Sequence, residues 1–208
     1  MAPLLQFSGV AGEEVAGLSF ALAGGETRVL QLASEAEKIA AIDLALGEET
    51  PAAGSILFLG RPLEQSEPGQ IGWVPAHGGL ISNLKTWENV TLPLWFHGKR
   101  LPPDTDAILA RWLTALGLDG GAWTDFMARP PAQLKPLERK LAGLLRGLVL
   151  APALLVVDGA LFDGVDQAMA RSWTAALEEF ARAGEMRAVL AVSHGPASLP
   201  WKTYGEPL

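Results

Sequence analysis

The chain contains no cysteine, which excludes disulfides and thiolate chemistry. Its three histidines, His77, His97 and His194, lie far apart and show no metal-ligand spacing. Basic charge is also scarce. The formal net charge is −7, whereas nucleic-acid binding calls for a basic face, so no nucleic-acid partner is expected. The small basic groups Lys99-Arg100 and Arg139-Lys140 read as solvated helix or loop positions. The longest uncharged apolar run, Gly147 to Val157, is too short to span a bilayer and is interrupted by Pro152. The opening MAPLLQFSGV has no basic region followed by a long apolar one, so no secretory leader is expected and the chain reads as cytoplasmic. No internal repeat, low-complexity tract or interdomain linker is evident.

Apolar residues, in contrast, are plentiful. They make up 49% of the 208 residues, enough for a substantial core in one domain of ordinary size, and the composition does not favour disorder. The seven tryptophans read as core or interface fillers.

The chain is organised around Arg146 to Asp166, RGLVLAPALLVVDGALFDGVD. A helix ending at Ala151-Pro152 gives way to the run Ala153 to Val157, which stops at Asp158. A run apolar at every position suits a strand of a parallel sheet covered on both faces. Asp158 then sits at the carboxyl end of that strand, where ligands bind in open α/β sheets and where a carboxylate can hold Mg²⁺ bound to phosphate.

Earlier in the chain, Leu4 to Phe7 and Ala16 to Leu22 read as strands separated by a turn. Thr27 to Leu32 reads as a further strand, followed by a helix over Ala36 to Leu46 with apolar Ile39, Ile42 and Leu46. Strand, turn and helix form the frame of a phosphate-binding loop, whose pattern is G-x-x-x-x-G-K-[ST]. If Lys38 is the motif lysine, Leu32 and Glu37 occupy the glycine positions and Ile39 the hydroxyl position. Glu35 and Glu37 would face a docked triphosphate, a repulsion of several kcal/mol in order of magnitude. The plain reading of Lys38 is a helix lysine facing water.

Further on, Ser55 to Phe58 reads as a strand, and Ile71 to Leu94 is IGWVPAHGGLISNLKTWENVTLPL. Asp104 to Leu116 has the spacing of an amphipathic helix, with Pro102-Pro103 before it and Gly117 after it. Pro131-Ala132-Gln133-Leu134 precedes Lys135-Pro136-Leu137-Glu138. Gln167 to Ala183 reads as an amphipathic helix with Trp173, Leu177 and Phe180 inward, and Arg187 to Ser193 as a strand ending at His194.

Taken together, from roughly Leu4 to His194, these strings resemble ABC-type ATPase subunits. Arg146, Leu148, Pro152, Asp158, Gly164 and Asp166 match the Walker B segment and D-loop. Gly72, Leu80, Leu84, Thr86, Glu88, Asn89, Val90, Leu92 and Pro93 match the segment around the Gln loop, and the Leu-Pro-Leu ending resembles subunits of lipid-trafficking and solvent-resistance transporters. The resemblance implies an α/β, P-loop NTPase-type three-layer core with a parallel sheet, an amino-terminal antiparallel β part and a helical subdomain over roughly 84–150, all in a single domain 1–208. It also implies a nucleotide site containing Lys38 for phosphate, Asp158 for Mg²⁺ and His194 for the γ-phosphate, and a strand-end cap is an equal reading of His194. Its implied partners are a transporter membrane subunit or a second ABC ATPase subunit, in a homo- or heterodimer on the inner face of the membrane.

The nucleotide motifs depart from the family pattern. Gly159 stands in place of the catalytic Glu, Ala76 in place of the loop Gln, and Lys135 to Glu138 in place of the signature Ser-Gly-Gly-Gln. Ala has neither a ligand for Mg²⁺ nor a group to hold water, and His77 beside it reads as a loop residue facing water. Pro136 removes an N–H donor, and Leu137 adds bulk where backbone must approach phosphate. The sequence is therefore expected to specify a non-catalytic structural or regulatory subunit with no cofactor. The alternative is a divergent ATPase using Mg-ATP to energise transport of a lipid or hydrophobic solute.

Overall fold

The computed structural model describes residues 2–98, 103–118, 122–195 and 199–204. Lys99-Arg100 and Pro102 lie outside the described residues.

Two sheets carry the fold. The first is antiparallel and comprises β1 (Leu5–Ala11), β2 (Leu18–Leu22), β4 (Ala53–Phe58) and β5 (Arg61–Pro62), in the order β2-β1-β4-β5. Between its strands the chain forms β3 (Thr27–Leu32) and helix α1 (Glu35–Leu46), which belong to the second layer. The second sheet contains β3, β6 (Ile71–Val74), β7 (Leu154–Asp158), β8 (Ala188–His194) and β9 (Lys202–Tyr204), in the order β6-β7-β8-β3-β9. All its pairings are parallel. This is the mixed α/β architecture expected, with the antiparallel part at the amino terminus.

Among the described residues, four α-helices separate β6 from β7: α2 (Thr86–Phe96), α3 (Thr105–Ala115), α4 (Trp123–Ala128) and α5 (Pro136–Leu150). Helix α6 (Gln167–Arg182) joins β7 to β8. At the end of α5, Ala151 takes φ +50°, a left-handed conformation that a non-glycine residue adopts at some cost, and Pro152 then prevents the helix from continuing.

The apolar run of β7 follows from its position between two cores. Leu155 and Val157 point into a cluster with Leu144, Leu145 and Leu148 of α5 and Trp173, Leu177 and Phe180 of α6. Leu154 and Val156 point the other way, toward Ala41 and Ile42 of α1 and Phe7 and Phe58 of the antiparallel sheet. Successive strand residues face opposite sides, so burial on both sides demands an apolar residue at every position.

Helix α1 corrects two expectations. Lys38 is 3% exposed, and Ile39 is 50% exposed. The buried stripe is Lys38, Ala41, Ile42 and Ala45, at helical spacing. Ile39 is one residue off that stripe, so its side chain is turned outward.

Candidate functional site

The residues that sequence reading assigned to phosphate, metal and γ-phosphate meet at the carboxyl end of the parallel sheet. Strand β7 delivers Asp158, β8 delivers His194, and α1 delivers Lys38. Lys38 Nζ donates to Asp158 Oδ1 at 3.0 Å and Oδ2 at 3.2 Å. It also lies 2.8 Å from Glu35 Oε1, one turn earlier on the same helix. The second oxygen of Glu35 is 2.7 Å from His194 Nδ1. Sequence reading counted Glu35 only as a charge opposed to triphosphate, and the structure makes it the bridge between Lys38 and His194.

Asp158 itself is 8% exposed. Besides Lys38 it accepts the Ala160 N–H at 2.9 Å, which starts the 3₁₀ turn Gly159–Phe162. Burial opposes the charge on Lys38, but its hydrogen bonds to Glu35 and Asp158 prevail and hold its pKa above the ordinary lysine value. The expectation of a water-facing Lys38 therefore fails because two carboxylates draw the ammonium inward.

Only Ala33 and Ser34 separate β3 from α1, so the helix begins three residues before Lys38. Ser34 Oγ accepts the Glu37 N–H, and Glu37 Oε2 accepts the Ala33 N–H, each at 3.1 Å. A hydroxyl of the chain thus occupies one donor of the first helical turn, and a carboxylate occupies the N–H of the residue before the cap. Ser34-x-x-Glu37 has the spacing of a capping box, the one sequence signal here that could have revealed this arrangement.

Gly159 is closed in as well. A Cβ at this position would lie 2.7 Å from Ser193 Oγ and 2.8 Å from Ser193 Cβ. No carbon fits there unless β8 or Ser193 moves.

Helix α5 ties together the neighbouring loops. Lys135 N–H donates to Glu138 Oε2 at 2.7 Å, and Arg129 Nη2 donates to Glu138 Oε1 at 2.8 Å. The hydrogen bond from Arg129, aided by the Lys135 N–H, outweighs burial and holds the Glu138 carboxyl below its ordinary range. Two residues further along, Lys140 is buried and donates to the carbonyls of Ala160, Leu161 and Asp163 at 2.8–3.1 Å. This corrects the reading of Lys140 as solvated. The three carbonyls lie at the end of a short 3₁₀ turn; the Ala160 carbonyl also accepts the Asp163 N–H, and the cation supplies the donor to those of Leu161 and Asp163. Burial pushes the Lys140 pKa down.

Arg146 grips the loop after β6. Its guanidinium donates to the Gly79 carbonyl at 2.7 Å and the Gly78 carbonyl at 2.9 Å, and burial lowers its pKa from the ordinary arginine value. The loop approaches α5 closely at Gly143, where a Cβ would come within 2.4 Å of Gly78 Cα. Ala76 and His77 lie in this loop, and His77 is exposed, as expected.

No protein-family model matches the chain. Solved structures do. The cbiO1 protein of Clostridium perfringens, part of the ABC transporter complex cbiONQ, is 18% identical with a TM-score of 0.73, over 94% of this chain and 80% of that one. An ATP-binding subunit of an ABC transporter is 19% identical with a TM-score of 0.77, over 92% and 79% of the two chains. The ATP-binding cassette MJ0796, in a dimeric post-hydrolysis state bound to ADP and Pi, is 18% identical with a TM-score of 0.73, over 92% and 88%. The fold is thus that of an ABC transporter ATP-binding subunit. Among the described residues, no helix is long and apolar enough to cross a membrane.

Proposed function

We propose that this chain is a non-catalytic ABC ATPase-like subunit, a single domain that serves as a structural or regulatory component of a membrane transport complex. The observation that carries this reading is the buried contact of Lys38 with Asp158 and Glu35. In a working site the lysine neutralises phosphate and the aspartate holds Mg²⁺. Here each satisfies the other. Mg-triphosphate would have to break that contact while approaching a helix end capped by Ser34 and flanked by Glu35 and Glu37. The residues present do not fit the group, and we derive no hydrolytic step through it.

The Gly159 environment and the Glu138 carboxylate at the start of α5 support the same reading from two further positions. A role in an assembly rather than in turnover draws on the similar cbiO1, described as part of a transporter complex. The partner is a transporter membrane subunit or an active ATPase subunit, which would hold this chain on the inner face of the membrane.

The test is calorimetric titration of the purified protein with Mg-ATP, beside the Lys38→Ala variant. No saturable heat at millimolar nucleotide is the expected result. Saturable binding that disappears with Lys38 would overturn the reading and restore the divergent ATPase. A transport complex that assembles and works at full rate without this chain would also overturn it.

A further inference from the structure

On the outer side of α1, away from Asp158, an apolar groove of about 320 Å³ opens between the helix and the loop joining β1 to β2. Val15, Ile39, Ala40 and Leu44 supply its apolar surface. Ile39 stands out there, since half of this β-branched apolar residue remains exposed among the described residues. The rim carries the carboxylates of Glu13, Glu14, Asp43 and Glu49, and the lining contains no Lys, Arg or His. None of these four carboxylates forms an ion pair among the described residues. The only cation of α1, Lys38, is turned to the opposite side and held by Asp158.

We propose that this groove is a docking site for a basic amphipathic peptide segment of a protein partner. One apolar side chain of the segment covers Ile39 and Val15, while flanking Lys or Arg side chains meet Glu13, Glu14, Asp43 and Glu49. Charge complementarity decides the occupant. Four unpaired carboxylates around an apolar floor repel nucleotides, phosphates and anionic lipid headgroups, and they attract ammonium and guanidinium groups. The size of the groove agrees, because it takes side chains of a segment rather than a folded surface. Apolar contact supplies affinity and the charged rim supplies specificity and association rate. Lys38, Asp158 and His194 do not line the groove, although Ile39 stands where the phosphate-loop pattern has its hydroxyl, so a failure of peptide binding and a failure of the nucleotide reading are separate outcomes.

The experiment uses the full chain and a fluorescent decapeptide of alternating Leu and Lys pairs, with fluorescence anisotropy as the readout. Expected are saturable one-to-one binding, at least a tenfold loss in the Glu13→Gln/Glu14→Gln/Asp43→Asn variant, and a comparable loss in Ile39→Ser. The variant Glu64→Gln/Glu67→Gln, which removes two exposed carboxylates elsewhere, should bind like the parent. A photo-crosslinking version of the peptide should label residues 12–15 and 36–49. All the substituted side chains lie at or near the surface, and circular dichroism establishes that each variant is folded. Equal loss in the Glu64/Glu67 variant, or undiminished binding in Ile39→Ser, would overturn the proposal by reducing it to bulk charge. Spermidine binding as tightly as the peptide would overturn the peptide as occupant, as would preferential binding to anionic vesicles.

Discussion

Lys38 Nζ and Asp158 Oδ1 are 3.0 Å apart, although 120 positions of sequence separate them. This contact joins α1 to β7 at the place where the fold would otherwise present its ligand groups. Lys38 is 3% and the Asp158 side chain 11% exposed, so removing one partner leaves a charge with little water. Lys38→Met should destabilise the fold by about 3 kcal/mol, the lower end of the cost of stranding a buried charge. Asp158→Asn retains an acceptor for the Ala160 N–H. The double variant should therefore lose less than the sum of the two single changes, with a coupling of about 1–3 kcal/mol. Urea denaturation of the four proteins measures it, and strict additivity would show that the contact contributes nothing.

Placing a glutamate at position 159 should not confer ATP hydrolysis. In Gly159→Glu the new Cβ meets Ser193 Oγ at 2.7 Å, and overpacking of this kind costs about 1–3 kcal/mol. Adding Ser193→Gly should recover part of that stability. Phosphate release should remain at background in both proteins, since Lys38 stays engaged with Asp158.

Two of the cations of α5, Arg146 and Lys140, act on different loops. Arg146→Leu removes the donor to the Gly78 and Gly79 carbonyls, and Lys140→Leu the donor to those of Leu161 and Asp163, while the Ala160 carbonyl keeps the Asp163 N–H. Each change should cost about 1–3 kcal/mol. Hydrogen exchange distinguishes them: Arg146→Leu should speed exchange at 78–80, and Lys140→Leu at 160–165. Acceleration spread evenly over both loops would refute the separate roles.

Acid should weaken the fold partly through Glu138. Its folded pKa lies below the unfolded value, so its contribution is present above the unfolded pKa of about 4.3 and is lost as pH falls through the folded one. Glu138→Gln should lower stability at neutral pH by about 1–2 kcal/mol and make the decline between about pH 5 and pH 3 shallower. Denaturation midpoints measured across that range provide the check. A Gln variant with an unchanged acid slope would assign the decline to other carboxylates, such as Glu26, held down by hydrogen bonds from Arg28 and the Ala23 N–H that outweigh its burial.

How far the sequence could be read depended on the range of the forces involved. The β7 run, the Ala151-Pro152 break and the inward Trp173, Leu177 and Phe180 were legible because strand alternation, proline sterics and helical spacing are local properties. The groups assigned to the site, Lys38, Asp158 and His194, do converge, because the order of elements brings three strand and helix ends to one edge of the sheet. The direction of the Lys38 side chain was not legible. It depends on Asp158 approaching from β7 and on a one-residue choice of which α1 stripe is buried, and the same choice turned Ile39 outward.

The amino-acid sequence alone determined the α/β alternation and the covered central strand. Tertiary structure alone decided that Lys38 and Lys140 are buried rather than solvated, that Glu35 joins a lysine to a histidine, and that Gly159 has no room for a side chain. Composition and periodicity fix which face of an element is apolar. Where a buried charge finds its counter-charge depends on contacts between distant segments, and those exist only once the chain has packed.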